Sequence, residues 1–289
     1  MVNASVIQMK MGENREANID KAEAMVRKAA SDGGQIVLLP ELFEGFYFCK
    51  DMDKKYFSWA REHKDNPVLL RFSQLAKELG VVLPISYFEK SKERYFNSLV
   101  VIDADGTIMQ NYRKTHIPDG PGYEEKFYFE PGDTGFMVYD TAYAKIGIGI
   151  CWDQWFPETA RSLSLMGAEL IFFPTAIGSE PEIDVDSKDH WQLVQMGHAA
   201  ANMVPVIAAN RTGEEVGESC TLTFYGSSFM TDCTGGKIVE ASRTEESVIT
   251  VSYDLHENSR LRQYWALFKD RRPLQYGRIC AEDAKSGPF

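Results

Sequence analysis

One order of short apolar runs and helix-like stretches occurs twice along this chain, and that restricts the fold to layered α/β architectures. "ASVIQM" has strand character, and between about Asn14 and Ser31 the residues Ile19, Ala22, Met25, Val26 and Ala29 recur at helical spacing. "QIVLLP" reads as a short buried strand, "PVLLRFSQLAKELG" as a helix running from Pro67 to a stop at Gly80, and "VVLPISYFE" as a strand. "NSLVVIDADGTIMQNYRK" reads as a hairpin turning at "DADG". The order then returns: "KIGIGIC" is a strand, "PETARSLSLMG" a helix, "AELIFFP" a strand, the region from about Ser187 to Asn202 a helix and "VPVIAAN" a strand. "SSFMTDCTGGKIVEAS" is a second hairpin, and "SVITVSYDL" follows. Strands that alternate with helices and then give way to hairpins predict mixed sheets with helices outside, and two such halves can stack sheet against sheet as four layers.

No Pro/Ser-rich linker interrupts the 289 residues, so one domain over 1–289 is expected. Its tail, from about Asn258 to the end, is aromatic and basic ("RLRQYWALFKDRRPLQYGR") and is expected to dock on a neighbouring subunit of a homo-oligomer, with a dimer as the minimum unit. The 31 basic and 42 acidic residues leave a net charge of −11, which argues against nucleic acid or an anionic membrane as partner and suits a small cationic ligand better. The first residues show no basic stretch leading into a long apolar one, and no later run reaches the length of a membrane span, so a soluble cytoplasmic protein is expected. Cys49, Cys151, Cys220, Cys233 and Cys280 are scattered, with no C-x-x-C pair. That disfavours a disulfide framework and a zinc knuckle.

In α/β sheets, sites gather beyond the carboxyl ends of strands. Glu41 follows "IVLLP", Lys114 follows "TIMQNYR" and Cys151 follows "IGIGI". A carboxylate, an ammonium and a thiol are the parts of a thiol hydrolase: a base, a cation for the substrate oxygen and a nucleophile. Taken singly, each has a plainer reading as a loop acid, a solvated lysine or an inert packed thiol. His116 offers an alternative base of the Cys-His type, and His190 and His198 read as packing or capping residues. Gly147 and Gly149 suggest a strand crowded by neighbouring backbone.

The segments around the three strand ends, "LLPELFEGFY", "YRKTHIPDGPGYEEKFYFEPGD" and "GICWDQWFPETAR", resemble the signature segments of the nitrilase superfamily of carbon–nitrogen hydrolases. Similarity continues through "FFPTAIGSEPE", "FYGSSF" and "FKDRRP", covering about residues 2–276. The resemblance implies an αββα sandwich of two mixed sheets with an internal pseudo-two-fold repeat. It also implies Cys151 as nucleophile, Glu41 as general base, Lys114 as oxyanion partner and no cofactor or metal. A second glutamate that positions the lysine falls on Glu125, which the residues alone do not separate from Glu124. Trp152, after the nucleophile, is the natural source of a second oxyanion N–H.

Within the superfamily the segments are most similar to the branch that hydrolyses N-carbamoylputrescine through a carbamoyl-thioester, releasing putrescine, carbon dioxide and ammonia. An amidase of another branch, acting on a carbamoyl β-amino acid or a short ω-amide, is the alternative. A cationic substrate needs a distant carboxylate and aromatic walls. Glu180, in "GSEP", is expected to take the ammonium. Tyr47, Tyr123, Trp152 and Trp155 are candidate walls, and Asp119 is a further polar candidate. The stretch between "NRTGEE" and "FYGSSF" reads as a short lid loop over about 213–223.

Overall fold

The computed structural model describes residues 1–281. The first half runs β1 (Val2–Gln8), α1 (Arg15–Ser31), β2 (Ile36–Leu38), α2 (Pro67–Leu79), β3 (Leu83–Ser91), β4 (Arg94–Ile102), β5 (Ile108–Arg113) and the single-turn α3 (Glu125–Tyr128). The second runs β6 (Met137–Asp140), β7 (Lys145–Ile148), α4 (Pro157–Leu165), β8 (Leu170–Pro174), α5 (Lys188–Asn202) and β9 (Val206–Ala209). It continues through β10 (Thr212–Val216), β11 (Thr221–Tyr225), β12 (Phe229–Thr231), β13 (Lys237–Glu240), β14 (Ser247–Tyr253) and α6 (Leu255–Trp265).

The strands β14-β1-β2 and β3-β4-β5 join into one row, because Ile36 of β2 forms a parallel bridge with Val82, the residue just before β3. The second row is β6-β7-β8-β9-β12-β13. Each row has an antiparallel outer strand, three parallel strands and two antiparallel ones. The rows therefore match position for position, which is the pseudo-two-fold repeat read from the element order.

Period-2 alternation separates the two faces of each sheet. Ile36 and Leu38 on β2, and Leu170 and Phe172 on β8, face the seam between the sheets. Val37 and Leu39 face α1 and α2, while Ile171 and Phe173 face α4 and α5. The result is the four-layer αββα sandwich. Burying each large apolar side chain in the seam is worth about 1.5–3 kcal/mol, and Phe172→Ala would cost about 3–5 kcal/mol through the cavity it leaves.

The helices carry their own start and stop signals. The Asn66 side chain accepts from the Val68 and Leu69 N–H groups, Pro67 takes the first helical position, and Gly80 ends α2 in the left-handed region at φ 64. Asn14 caps α1 by accepting from the Ala17 N–H.

Three elements differ from expectation. β4 begins at Arg94, earlier than the run starting at Asn97, because Lys92 at φ 57 closes a tight turn back onto β3. β6, only four residues long, was too short to stand out as a periodic run. The expected lid loop is instead the antiparallel hairpin of β10 and β11, whose turn is fixed by the Asp51 carboxylate accepting from the Glu218 and Ser219 N–H groups. In the tail, α6 lies against α4 through Arg262, which donates to the Ser164 carbonyl at 2.7 Å, while Tyr264 and Trp265 face outward. Residues 282–289 of that tail lie outside the described residues. Among the described residues no helix is long and apolar enough to cross a membrane.

Candidate active site

Cys151 does not end β7. The strand stops at Ile148, and Cys151 opens a single 3-10 turn, Cys151–Trp155, with its own backbone at φ 41. A non-glycine residue in this region costs on the order of 1 kcal/mol and persists only where its surroundings dictate it. Asp153 supplies that constraint. Its buried carboxylate accepts from the Ile150 N–H at 2.9 Å, from the Tyr112 hydroxyl at 2.7 Å and from the His116 N–H at 3.0 Å. His116 Nδ1 lies 2.7 Å from the same carboxylate, and its ring stacks on Phe156 at 3.6 Å. His116 thus braces the cysteine turn from the lysine strand, and its ring faces Asp153 and Phe156 instead of the thiol. Gly147 and Gly149 are crowded by side chains and not by backbone: a Cβ at Gly149 would lie 2.5 Å from the Phe173 ring, and one at Gly147 3.0 Å from the Leu163 Cβ.

Lys114 continues the line of β5. Its N–H donates to the Asn97 carbonyl at 2.8 Å, and its own carbonyl accepts from the Gly132 N–H at 2.8 Å. Glycine is required at 132 because a Cβ there would lie 2.1 Å from the Arg113 carbonyl oxygen. The Lys114 ammonium donates to Glu41 Oε1 at 2.8 Å and to Glu125 Oε2 at 2.7 Å, with all three side chains buried. Of the two glutamates at this place, Glu125 is buried on the lysine, while Glu124 is partly exposed. Burial alone would lower the Lys114 pKa, but Glu125 and Glu41 outweigh it and hold the ammonium charged. Burial raises the Glu125 carboxyl, with Lys114 opposing and Glu41 adding to the shift.

Glu41 uses one oxygen for structure. Oε1 accepts from Lys114 and from Asn97 Nδ2 at 2.7 Å, and the buried Oε2 has no hydrogen-bond partner among the described residues. Cys151 is nearby: burial first and then the Glu41 charge push its thiol well up, with Lys114 pulling the other way. The thiol is therefore neutral in the resting site and donates to the Ala176 carbonyl at 3.8 Å. Such an arrangement can activate a thiol at the moment of attack, with an ammonium beside the developing oxyanion.

Two residues beyond Ala176, Gly178 begins the wall of an open cavity of about 520 Å³ that is also lined by Glu180, Tyr225, Lys10 and Arg243. Glu180 is half-buried, its carboxyl is raised by burial, and it makes no ion pair among the described residues. The Tyr123 and Tyr225 hydroxyls lie within electrostatic reach of both Glu180 and Cys151. Tyr123 OH accepts from the Gly178 N–H at 3.0 Å and faces the Ser179 carbonyl at 3.1 Å.

The remaining candidates separate. Tyr47 is fully buried and donates to Glu125 Oε1 at 2.7 Å, so it supports the glutamate more than it lines a wall. Trp152 is partly exposed beside Trp155, whose ring also meets His190 at 4.8 Å. His198 is buried against the Gln154 carbonyl at 2.7 Å. Asp119 is exposed, with Lys126 3.9 Å away, and no hydrogen bond or ion pair among the described residues joins it to the buried cluster. No group of three His, Cys, Asp or Glu side chains suited to a metal ion occurs among the described residues. Sequence reasoning missed Asn97, Asp153 and Arg211. Of these, only Asp153 had a local signal, lying two residues from the cysteine at a strand end.

A buried thiol, carboxylate and ammonium at the ends of strands in an αββα sandwich define a thiol-type hydrolase class. The family model for carbon-nitrogen hydrolases matches residues 3–263. The chain is 50% identical over 287 residues to an N-carbamoylputrescine amidase of Arabidopsis thaliana, covering 98% of this chain and 96% of the relative. It is also 50% identical over 279 residues to a citrullinase of Francisella tularensis subsp. tularensis, covering 96% and 98%. A crystal structure of a carbon-nitrogen hydrolase from Helicobacter pylori G27 superposes with a TM-score of 0.92 at 37% identity, covering 97% of this chain and 99% of that one. The chain belongs to the carbon–nitrogen hydrolase family, the nitrilase superfamily, and is an amidohydrolase.

Proposed function

We propose that the chain hydrolyses N-carbamoylputrescine to putrescine, carbon dioxide and ammonia, with Cys151 as nucleophile. The observation that carries this reading is Glu180, a half-buried carboxylate without an ion-pair partner among the described residues, lining a cavity with Tyr225 and lying, like Cys151, within electrostatic reach of the Tyr123 and Tyr225 hydroxyls. A carboxylate left in that state is stabilised by an alkylammonium, and the tyrosine faces suit the methylenes. Relatives named N-carbamoylputrescine amidase at half identity support the same substrate.

A carbamoyl carbon is a poor electrophile because nitrogen donates into it from both sides. In this mechanism Glu41 Oε2 takes the thiol proton as Sγ attacks, and the negative charge moves to the substrate oxygen, facing Lys114 and the Trp152 N–H. The intermediate expels ammonia, which takes the proton from Glu41, and leaves an alkylcarbamoyl-thioester on Cys151. Water deprotonated by Glu41 then adds to the thioester. The thiol leaves with its proton restored, and the alkylcarbamic acid loses carbon dioxide to give putrescine. Glu125 keeps the Lys114 ammonium aimed.

One observation favours a second reading, hydrolysis of citrulline. The cavity holding Glu180 also contains the ammonium of Lys10, which makes no ion pair among the described residues, and Arg243, which donates to Asp186 at 2.8 Å. An amino-acid end group carries both charges and matches such a mixed lining.

The test offers N-carbamoylputrescine, citrulline, N-carbamoyl-β-alanine and glutaramate to the purified protein and follows ammonia and amine release. The highest kcat/KM is expected for N-carbamoylputrescine. A preference for citrulline would select the second reading, and faster turnover of glutaramate than of either would overturn both. The enzyme acts in this reading as a cytoplasmic homo-oligomer that covers Tyr264 and Trp265, which sedimentation of the purified chain would check.

A further inference from the structure

The segment from Glu41 to Tyr47 leaves the end of β2 without entering a helix or strand, so its carbonyls need partners from elsewhere. Arg211, fully buried just before β10, supplies them. Its Nη2 donates to the Glu41 carbonyl at 2.7 Å and to the Leu42 carbonyl at 3.2 Å, and its Nη1 donates to the Gly45 carbonyl at 3.2 Å. Nη1 also donates to Glu215 Oε1 at 2.9 Å, and Glu215 Oε2 accepts from the Tyr47 N–H. The guanidinium lies over the Tyr47 and Phe224 rings, 5.7 and 5.3 Å from their centroids. Leu42 stands at φ 49, a second non-glycine residue held in the left-handed region at this site.

This pair grips both ends of the segment that carries the site's carboxylate chemistry. At one end lies the backbone of Glu41, whose Oε2 is free to take a proton. At the other lies Tyr47, whose hydroxyl donates to Glu125. We propose that Arg211 and Glu215 are positioning residues for the hydrolysis, clamping residues 41–47 so that Glu41 and, through Tyr47, Glu125 hold their places around Lys114. All four contacts come from the two terminal nitrogens of the planar guanidinium, whereas a lysine ammonium has three donors and no plane with which to serve three carbonyls and a carboxylate together. The inference rests on Glu41 being the general base.

The test uses the full chain with Arg211→Lys and Glu215→Gln, alongside Glu41→Gln. Steady-state rates, the pH profile of kcat/KM, thermal midpoints and the pH dependence of Cys151 alkylation by iodoacetamide are measured for each. Expected for both clamp variants is a loss of kcat of about tenfold or more with KM little changed, and a displaced pH limb in kcat/KM and in alkylation. Glu215→Gln retains an oxygen acceptor, so it decides the question where Arg211→Lys does not fold. Folded variants with lowered thermal midpoints but wild-type kcat and pH limbs would make the clamp purely structural and overturn the proposal. Full activity in Glu41→Gln would instead overturn the assignment of the base.

Discussion

The Lys114 ammonium lies between the Glu41 and Glu125 carboxylates, 2.8 Å from one and 2.7 Å from the other, with no side-chain exposure at any of the three. Removing the cation leaves two buried carboxylates facing each other. Lys114→Met is therefore expected to destabilise the fold by about 3–5 kcal/mol and to lower kcat by about a hundredfold or more. Denaturant titration and steady-state rates check the two effects separately. Wild-type turnover in this variant would remove the lysine from the chemistry.

The Cys151 thiol is raised by burial and by Glu41. Resting enzyme should thus show no thiolate absorbance attributable to Cys151 up to and beyond the ordinary thiol value of about 8.5. The measurement is an ultraviolet pH titration of the wild type against Cys151→Ala. A thiolate signal near neutrality would point to a preformed ion pair, as in a Cys-His pair, and away from proton transfer during attack.

Burial raises the Glu180 carboxyl, so it takes up its proton at a higher pH than the ordinary carboxylate value of about 4.3. Only the charged form attracts an ammonium. KM for cationic substrates should accordingly rise as pH falls through that raised value, while KM for neutral amides stays level. Glu180→Gln is expected to cost about ten- to a hundredfold in kcat/KM on cationic substrates alone. Equal losses on neutral amides would cancel its assigned role.

Glu89 works in the opposite sense. Burial would raise its carboxyl, yet the hydrogen bonds from Arg113, Ser98 and Asn111 hold it below the ordinary value. The folded value lies under the unfolded one, so this stabilisation is complete above the unfolded value of about 4.3 and is lost as pH falls through the depressed one. Thermal midpoints across acid pH should show a steeper decline in the wild type than in Glu89→Gln, which starts lower at neutral pH. Parallel curves would exclude Glu89 from the acid transition.

The layers were readable because period-2 runs and helix caps are local: Ile36 to Leu38, Leu170 to Pro174, and Asn66 with Pro67 and Gly80 announce themselves within a few residues. The hairpin of β10 and β11 did not, because Glu214, Glu215 and the turn at Gly217 read as loop, and only pairing with a second strand orders them. In the buried cluster, Glu41, Lys114 and Cys151 stood at strand ends. Asn97 and Arg211 act through partners 56 and 170 residues away in sequence, and nothing beside them reports that distance. Tyr47 was recognised as aromatic and near the site, but its hydroxyl bond to Glu125 depends on a contact 78 residues off.

Glu41 and Lys114 follow strands of the first sheet, while the Cys151 thiol follows a strand of the second. A nascent chain that has released only its first 140 residues carries a carboxylate and an ammonium but no nucleophile. The thiol that emerges later has neither carboxylate nor ammonium beside it until the two sheets have closed on each other. The three groups thereby meet only in the completed assembly, and a half-made molecule cannot gather them around a cysteine it has not yet enclosed.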